Sequence, residues 1–229
     1  MAERFNRAAD AAMEAYESEN LDSALQFYNE ALEIEPDAAD ALFNRANVYF
    51  DLGRYEDAIE DYDQVVDTEE YSQRALYNRG TARLRLGRHA LAVDDLSRAV
   101  ELDPTDAPAL TNLGLALTVL GNIDKAESAF TRAIEADPTM ASASYNRGNI
   151  RYDRGDVEAA VEDYDRAIEA NPNLLGALYN RGNAHYLAEN YRAAVGDYTR
   201  VLSLDPDNVD AMNNIGLSYL ALVEQAESD

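Results

Sequence analysis

The chain has 229 residues, 47% of them apolar, enough for a continuous core. Its 44 acidic residues against 19 basic ones leave a net charge of −25, which disfavours a nucleic-acid partner, because a phosphate backbone calls for a basic stripe. Cysteine is absent, so disulfides, thiolate metal sites and a cysteine nucleophile are excluded, and no apolar run approaches the roughly 20 residues of a membrane-spanning helix.

Proline recurs on a 34-residue ruler, at Pro36, Pro104, Pro138, Pro172 and Pro206, with Glu70 at the missing beat. A fixed period of this length marks a solenoid, in which each unit buries its apolar face only against its neighbours. With proline placed in slot 32 of each unit, the repeats are 5–38, 39–72, 73–106, 107–140, 141–174 and 175–208, and a half repeat runs from 209 to 229. The pattern predicts two helices per repeat.

The first repeat departs from the others, with Ala12, Ala15 and Tyr16 in its first helix. In the second, helices are predicted from about Asp40 to Leu52 and from about Glu56 to Thr68, separated by Gly53, a residue suited to the turn after a helix. This repeat lacks its proline, so a looser exit is expected. The third ends its second helix before Asp103-Pro104, because the residue before proline is pushed out of the helical region. The fourth shows the apolar spacing clearly, with Leu110, Leu113 and Leu117 followed by Ala126, Phe130 and Ala133. The fifth and sixth repeat the plan with small residues Gly148 and Gly182 in slot 8, alanines Ala160 and Ala194 in slot 20, and tyrosine in slot 24. The last helix, predicted over 209–225, presents Leu217, Leu220 and Val223 with no second helix to cover them.

The period, the small residues in slots 8, 20 and 27, the large residue in slot 24 and the proline in slot 32 together resemble the tetratricopeptide repeat family, over nearly the whole chain. The resemblance implies an all-α fold, a right-handed α-solenoid of antiparallel helix pairs, with six units and a C-terminal capping helix. It also implies that slots 2, 5, 6, 9, 12 and 13 of the first helices line a concave groove that binds protein segments without catalysis.

Asparagine fills slot 6 in six units: Asn44, Asn78, Asn112, Asn146, Asn180 and Asn214. An amide carries an acceptor and two donors, so such a row suits the backbone of an extended peptide. The alternative is local hydrogen bonding. Asn47, Asn149 and Asn183 in slot 9 and Phe50, Tyr152 and Tyr186 in slot 12 belong to the same face. Tyr145 and Tyr179 in slot 5 either join that face or pack between repeats. Aromatic rings give large contact area at low entropic cost. Slot 5 never holds lysine, so the clamp by which some relatives grip a carboxyl terminus is not expected.

Arginine in slot 7 accompanies aspartate in slot 23, as Arg45 with Asp61, Arg79 with Asp95, Arg147 with Asp163 and Arg181 with Asp197. Where slot 7 holds Leu113, slot 23 holds Ala129, and the first repeat has Ala11 with Phe27. Charge switching on and off in step predicts ion pairs between the two helices. The histidines His89 and His185 fall in different slots and do not form a metal site, and no phosphate loop or nucleophile motif is present, so neither a cofactor nor enzymatic activity is expected.

The expected partner is therefore a protein or peptide, with neither nucleic acid nor membrane, in the cytoplasm, since Met1 to Arg7 lacks an export pattern. The alternatives are a self-assembly module that dimerises through the C-terminal helix and the interaction part of a larger multidomain protein. Lys125 is the only lysine, a depletion expected of a protein adapted to a salt-rich cell interior rather than one tuned to a single basic partner.

Overall fold

The structure is a computed structural model that describes residues 1–228. Thirteen helices and no strands occur among them. They fall into two compact units, Met1–Asn122 and Ile123–Asp229, the last residue lying outside the described part.

The first unit contains α1 (Ala2–Glu17), α2 (Leu21–Ile34), α3 (Ala39–Asp51), α4 (Tyr55–Val65), α5 (Ser72–Arg85), α6 (His89–Leu102) and α7 (Ala107–Val119). Each helix packs on the next, and α3, α5 and α7 also meet as alternate neighbours. The second unit contains α8 (Ile123–Ala136), α9 (Ala141–Asp153), α10 (Val157–Ala170), α11 (Leu175–Leu187), α12 (Tyr191–Leu204) and α13 (Val209–Ser228), packed in the same manner, with α9 against α11. This is the all-α plan of helix pairs that the sequence period predicts.

The turn inside each repeat has one design. After α3, Gly53 donates to Phe50 and Arg54 donates to Tyr49, both through backbone N–H groups, and Gly53 adopts φ +72°. That pair of bonds satisfies the last carbonyls of the helix and needs a left-handed residue at its centre. Gly87, Gly121 and Gly155 repeat it, but Glu19 and Glu189 occupy the same slot at φ 59°.

Small residues in slot 8 make room for the slot 24 side chain of the second helix. A Cβ on Gly80 would come within 2.8 Å of Leu96, one on Gly148 within 2.8 Å of Tyr164, and one on Gly182 within 2.7 Å of Tyr198. These three slot 24 residues are fully buried, and side chains of that size contribute about 1.5–3 kcal/mol each on burial.

The second repeat differs from expectation at its exit. Helix α4 ends at Val65, three residues early, where the Thr68 hydroxyl donates to the Val65 carbonyl at 2.7 Å. A threonine hydroxyl offers the backbone an alternative to continued helix.

Candidate functional site

The slot 7 arginines point between helices. Arg147 Nη2 lies 2.6 Å from Asp163 Oδ1 and Nε lies 2.8 Å from Oδ2. Arg45 with Asp61, Arg79 with Asp95 and Arg181 with Asp197 make the same two-pronged contact, at 2.5–3.0 Å. The remaining Nη1 of each reaches slot 25 of the preceding repeat, where it donates to Asn29, Asp63, Thr131 or Asp165. Each arginine thus clips three helices together. The aspartates hold the Arg45, Arg79 and Arg181 guanidinium groups firmly protonated.

The asparagines form a second internal network. Asn78 Nδ2 donates to Asn47 Oδ1 at 3.0 Å, Asn180 Nδ2 to Asn149 Oδ1 at 2.9 Å, and Asn214 Nδ2 to Asn183 Oδ1 at 3.2 Å. Asn112 Nδ2 donates to Thr81 Oγ1 at 3.0 Å. The slot 9 asparagines carry a further load. The buried hydroxyls of Tyr62, Tyr164 and Tyr198 donate to Asn47, Asn149 and Asn183 at 2.6, 2.9 and 2.8 Å. Burial pushes the pKa of all three phenols well above the usual tyrosine value, so they remain donors. Asn47, Asn149 and Asn183 are therefore tied into the packing by their carbonyl oxygens.

Two ladder members stand apart. Asn146 donates to Ser142 in its own helix at 2.7 Å, and Asn44 makes no hydrogen bond among the described residues. In sequence, the slot 9 residue one repeat earlier is Leu115 for Asn146 and Met13 for Asn44, neither of which has a strong acceptor. A polar slot 9 residue was the readable signal for a bonded ladder member: Asn47, Thr81, Asn149 and Asn183 each precede one, and asparagine there accompanies Tyr62, Tyr164 and Tyr198, although Met13 accompanies Tyr28 in the first repeat.

With the amide N–H groups bound, the carbonyl oxygens of Asn78, Asn112, Asn180 and Asn214 remain. They accept no hydrogen bond among the described residues and are not among its buried unpaired atoms, so they reach solvent.

Each unit has a depression on the face of its first helices. In the first unit it measures about 560 Å³ and brings together Phe50, Asn78 and Asn112 from the expected set. The neighbouring groove slots add Leu84, Arg85, Leu115 and Val119, and His89 comes from the start of α6. In the second unit a smaller depression of about 190 Å³ gathers Tyr152, Asn183, Tyr186 and Asn214, with Leu187 and Leu217.

Asn44, Asn47, Asn146, Asn149 and Asn180 line neither depression. Nor do Tyr145 and Tyr179, which lie tilted against Tyr164 and Tyr198 at centroid distances of 6.2 and 5.8 Å. Their hydroxyls accept from Asn180 and Asn214 in the next repeat, at 3.4 and 3.1 Å. Gly176 leaves space for the Tyr145 hydroxyl, which would sit 2.8 Å from a Cβ there. Of the slot 12 rings, Tyr186 is exposed while Phe50 and Tyr152 are half-buried, and Phe50 and Tyr186 meet Tyr55 and Tyr191 edge-on.

Among the described residues no group of three or more potential ligands could hold a metal ion, and no helix is long and apolar enough to cross a membrane.

Comparisons with known proteins agree with this architecture. Family models described as tetratricopeptide repeat match residues 9–73, 46–107, 111–174 and 176–208. No curated protein sequence matches the chain. Among solved structures, YrrB, described as a TPR protein with an unusual peptide-binding site, is 32% identical, with a TM-score of 0.66 over 76% of this chain and 90% of its own. The MamA protein is 27% identical, with a TM-score of 0.69 over 75% of this chain and 94% of its own. PilF of Pseudomonas aeruginosa shares the fold at 20% identity, with a TM-score of 0.78 over 93% of this chain and 96% of its own.

Proposed function

We propose, for a chain that belongs to the tetratricopeptide repeat family, a non-catalytic scaffold that binds an extended protein segment along the groove face of its first helices. The observation that carries this reading is the set of unpaired ladder carbonyls beside open apolar and aromatic walls. Asn78 and Asn112 stand with Phe50 and Val119 in the first unit, and Asn214 with Tyr152 and Tyr186 in the second. A carbonyl fixed by its own amide accepts a backbone N–H of the guest whatever the guest's side chains, and the walls take its apolar groups. YrrB, a solved relative with a peptide-binding site, supports the same use of the fold.

The test is recovery of partners by immobilised protein. Val119→Asp with Tyr186→Ala removes groove contacts in both units, while Glu162→Ala alters an exposed residue outside them. Partners retained by Glu162→Ala and lost by the groove variant support the reading. Equal recovery by all three rejects it.

Self-association through α13 is the second reading. Leu217, Leu220 and Val223 are 50%, 64% and 56% exposed. A mass that stays monomeric at high concentration in light scattering would reject it. The acidity is best read as adaptation to salt: self-repulsion of −25 charges is relieved as the Debye length shrinks to about 3 Å at 1 M. Stability that does not rise between dilute buffer and molar salt would count against that assignment.

A further inference from the structure

The first unit's groove reverses the charge of the chain around it. Helix α5 carries Arg74, Arg79, Arg83 and Arg85 and no carboxylate, and α7 carries no charged residue, in a chain of net charge −25. Two of these arginines are held by acids: Arg79 by Asp95 and Asp63, and Arg83 by Asp95. Arg74 lies over the Phe43 ring, 4.6 Å from its centroid. Arg85 makes no ion pair or hydrogen bond among the described residues, is exposed, and borders the 560 Å³ depression.

No aspartate or glutamate lines that depression. Asp106, whose charge reaches Tyr77 nearby, is already engaged at the amino end of α7. It accepts from the Ala109 N–H at 2.8 Å and from Gln73 Nε2 at 2.6 Å. The walls beside Arg85 are apolar: Phe50, Leu84, Leu115 and Val119, the last 63% exposed.

We propose that this depression takes an extended peptide carrying a large apolar side chain with an aspartate or glutamate within two residues of it. The apolar side chain enters between Phe50, Leu84, Leu115 and Val119, the carboxylate pairs with Arg85, and guest N–H groups donate to Asn78 and Asn112. The proposal rests on the groove reading above and adds to it the charge of the guest. An acidic guest is an unexpected partner for so acidic a chain, and the local charge at the groove selects it where the diffuse field of the chain is screened.

The experiment is selection from a phage-displayed library of random decapeptides on the full chain in about 1 M NaCl, where the Debye length is about 3 Å. The selected pool is expected to enrich an acidic residue within two positions of Leu, Ile, Phe or Tyr. A synthetic peptide from that pool, followed by fluorescence anisotropy, should weaken about fivefold when its acid is changed to lysine. Arg85→Gln should erase that preference and Arg85→Glu should reverse it, with circular dichroism unchanged in both. A pool that binds through the groove, as shown by loss of binding in Val119→Asp, but has no acidic preference would overturn the charge inference alone. Selection that fails, or binding indifferent to Val119→Asp, would overturn both this inference and the groove reading.

Discussion

Arg147 and Asp163 face each other across α9 and α10, their side chains 6% and 0% exposed, joined by two hydrogen bonds of 2.6 and 2.8 Å. Arg151 also reaches Asp163, at 2.9 Å, and Arg166 at 3.4 Å, so one buried carboxylate anchors three cations. Removing only the acid leaves the buried Arg147 without its anion and takes a partner from Arg151 and Arg166. Asp163→Ala should therefore cost about 3–5 kcal/mol in urea unfolding. Replacing both partners, as Arg147→Leu with Asp163→Ala, copies the Leu113 and Ala129 combination of the fourth repeat and should recover most of that loss. A double variant no more stable than Asp163→Ala would show that the pair is not an exchangeable unit.

The tyrosine beneath the ladder sets a second expectation. Tyr198 is 1% exposed, and its hydroxyl has Asn183 as acceptor at 2.8 Å. Asn183→Ala strands a buried hydroxyl and removes one of the two acceptors of Asn214, and should cost about 1–3 kcal/mol. In a Tyr198→Phe background the same substitution should cost clearly less, because the stranded donor is gone. Equal costs in both backgrounds, measured as a double-mutant cycle, would remove the hydroxyl from the account.

These two networks show what the sequence discloses. The ion pairs were legible because Arg and Asp disappear together at Leu113 and Ala129, and one charge without the other is not tolerated in a helix interface. The ladder was legible as a face but not as a set of bonds. An amide both donates and accepts, so the spacing of Asn78 and Asn180 says where they lie but not which end is spent on Asn47 and Asn149. Slot 12 read as part of the groove face, and Phe50, Tyr152 and Tyr186 line the depressions. Slot 5 left two roles open, and the structure sets the rings of Tyr145 and Tyr179 against slot 24 of their own repeat and their hydroxyls against the asparagine of the next. The end of α4 was missed because Thr68 closes the helix through its own hydroxyl, a local competition invisible to apolar periodicity.

Glu189 sits at φ 59° in the turn where Gly53, Gly87, Gly121 and Gly155 serve the other repeats. A side chain in the left-handed region is strained by about 1 kcal/mol or more, and glycine removes that strain while loosening the unfolded chain. Glu189→Gly should raise stability by about 0.5–1 kcal/mol, and the same change at Glu19 should act in the same direction. Thermal unfolding of the single variants checks this. A fall in Tm at both positions would mean that the glutamates are held there by interactions worth more than the strain.

His185 supplies a pH dependence. Burial holds its imidazole below the usual histidine value, with Arg181 acting the same way, while Asp197, 4.0 Å from Nε2, and Asp165 pull against them. The folded pKa is thus lower than that of the unfolded chain, about 6.5. Above that pH the ring is neutral in both states and its full contribution to stability is present. As pH falls from about 6.5 through the folded value, the unfolded chain binds the proton first, so stability is lost with acid. His185→Gln cannot take up that proton, and its urea midpoint should decline less steeply than that of the wild type between about pH 7 and pH 5. Parallel declines would place the acid sensitivity elsewhere, and a steeper decline in the variant would mean that protonated His185 is held by Asp197 more strongly than burial opposes it.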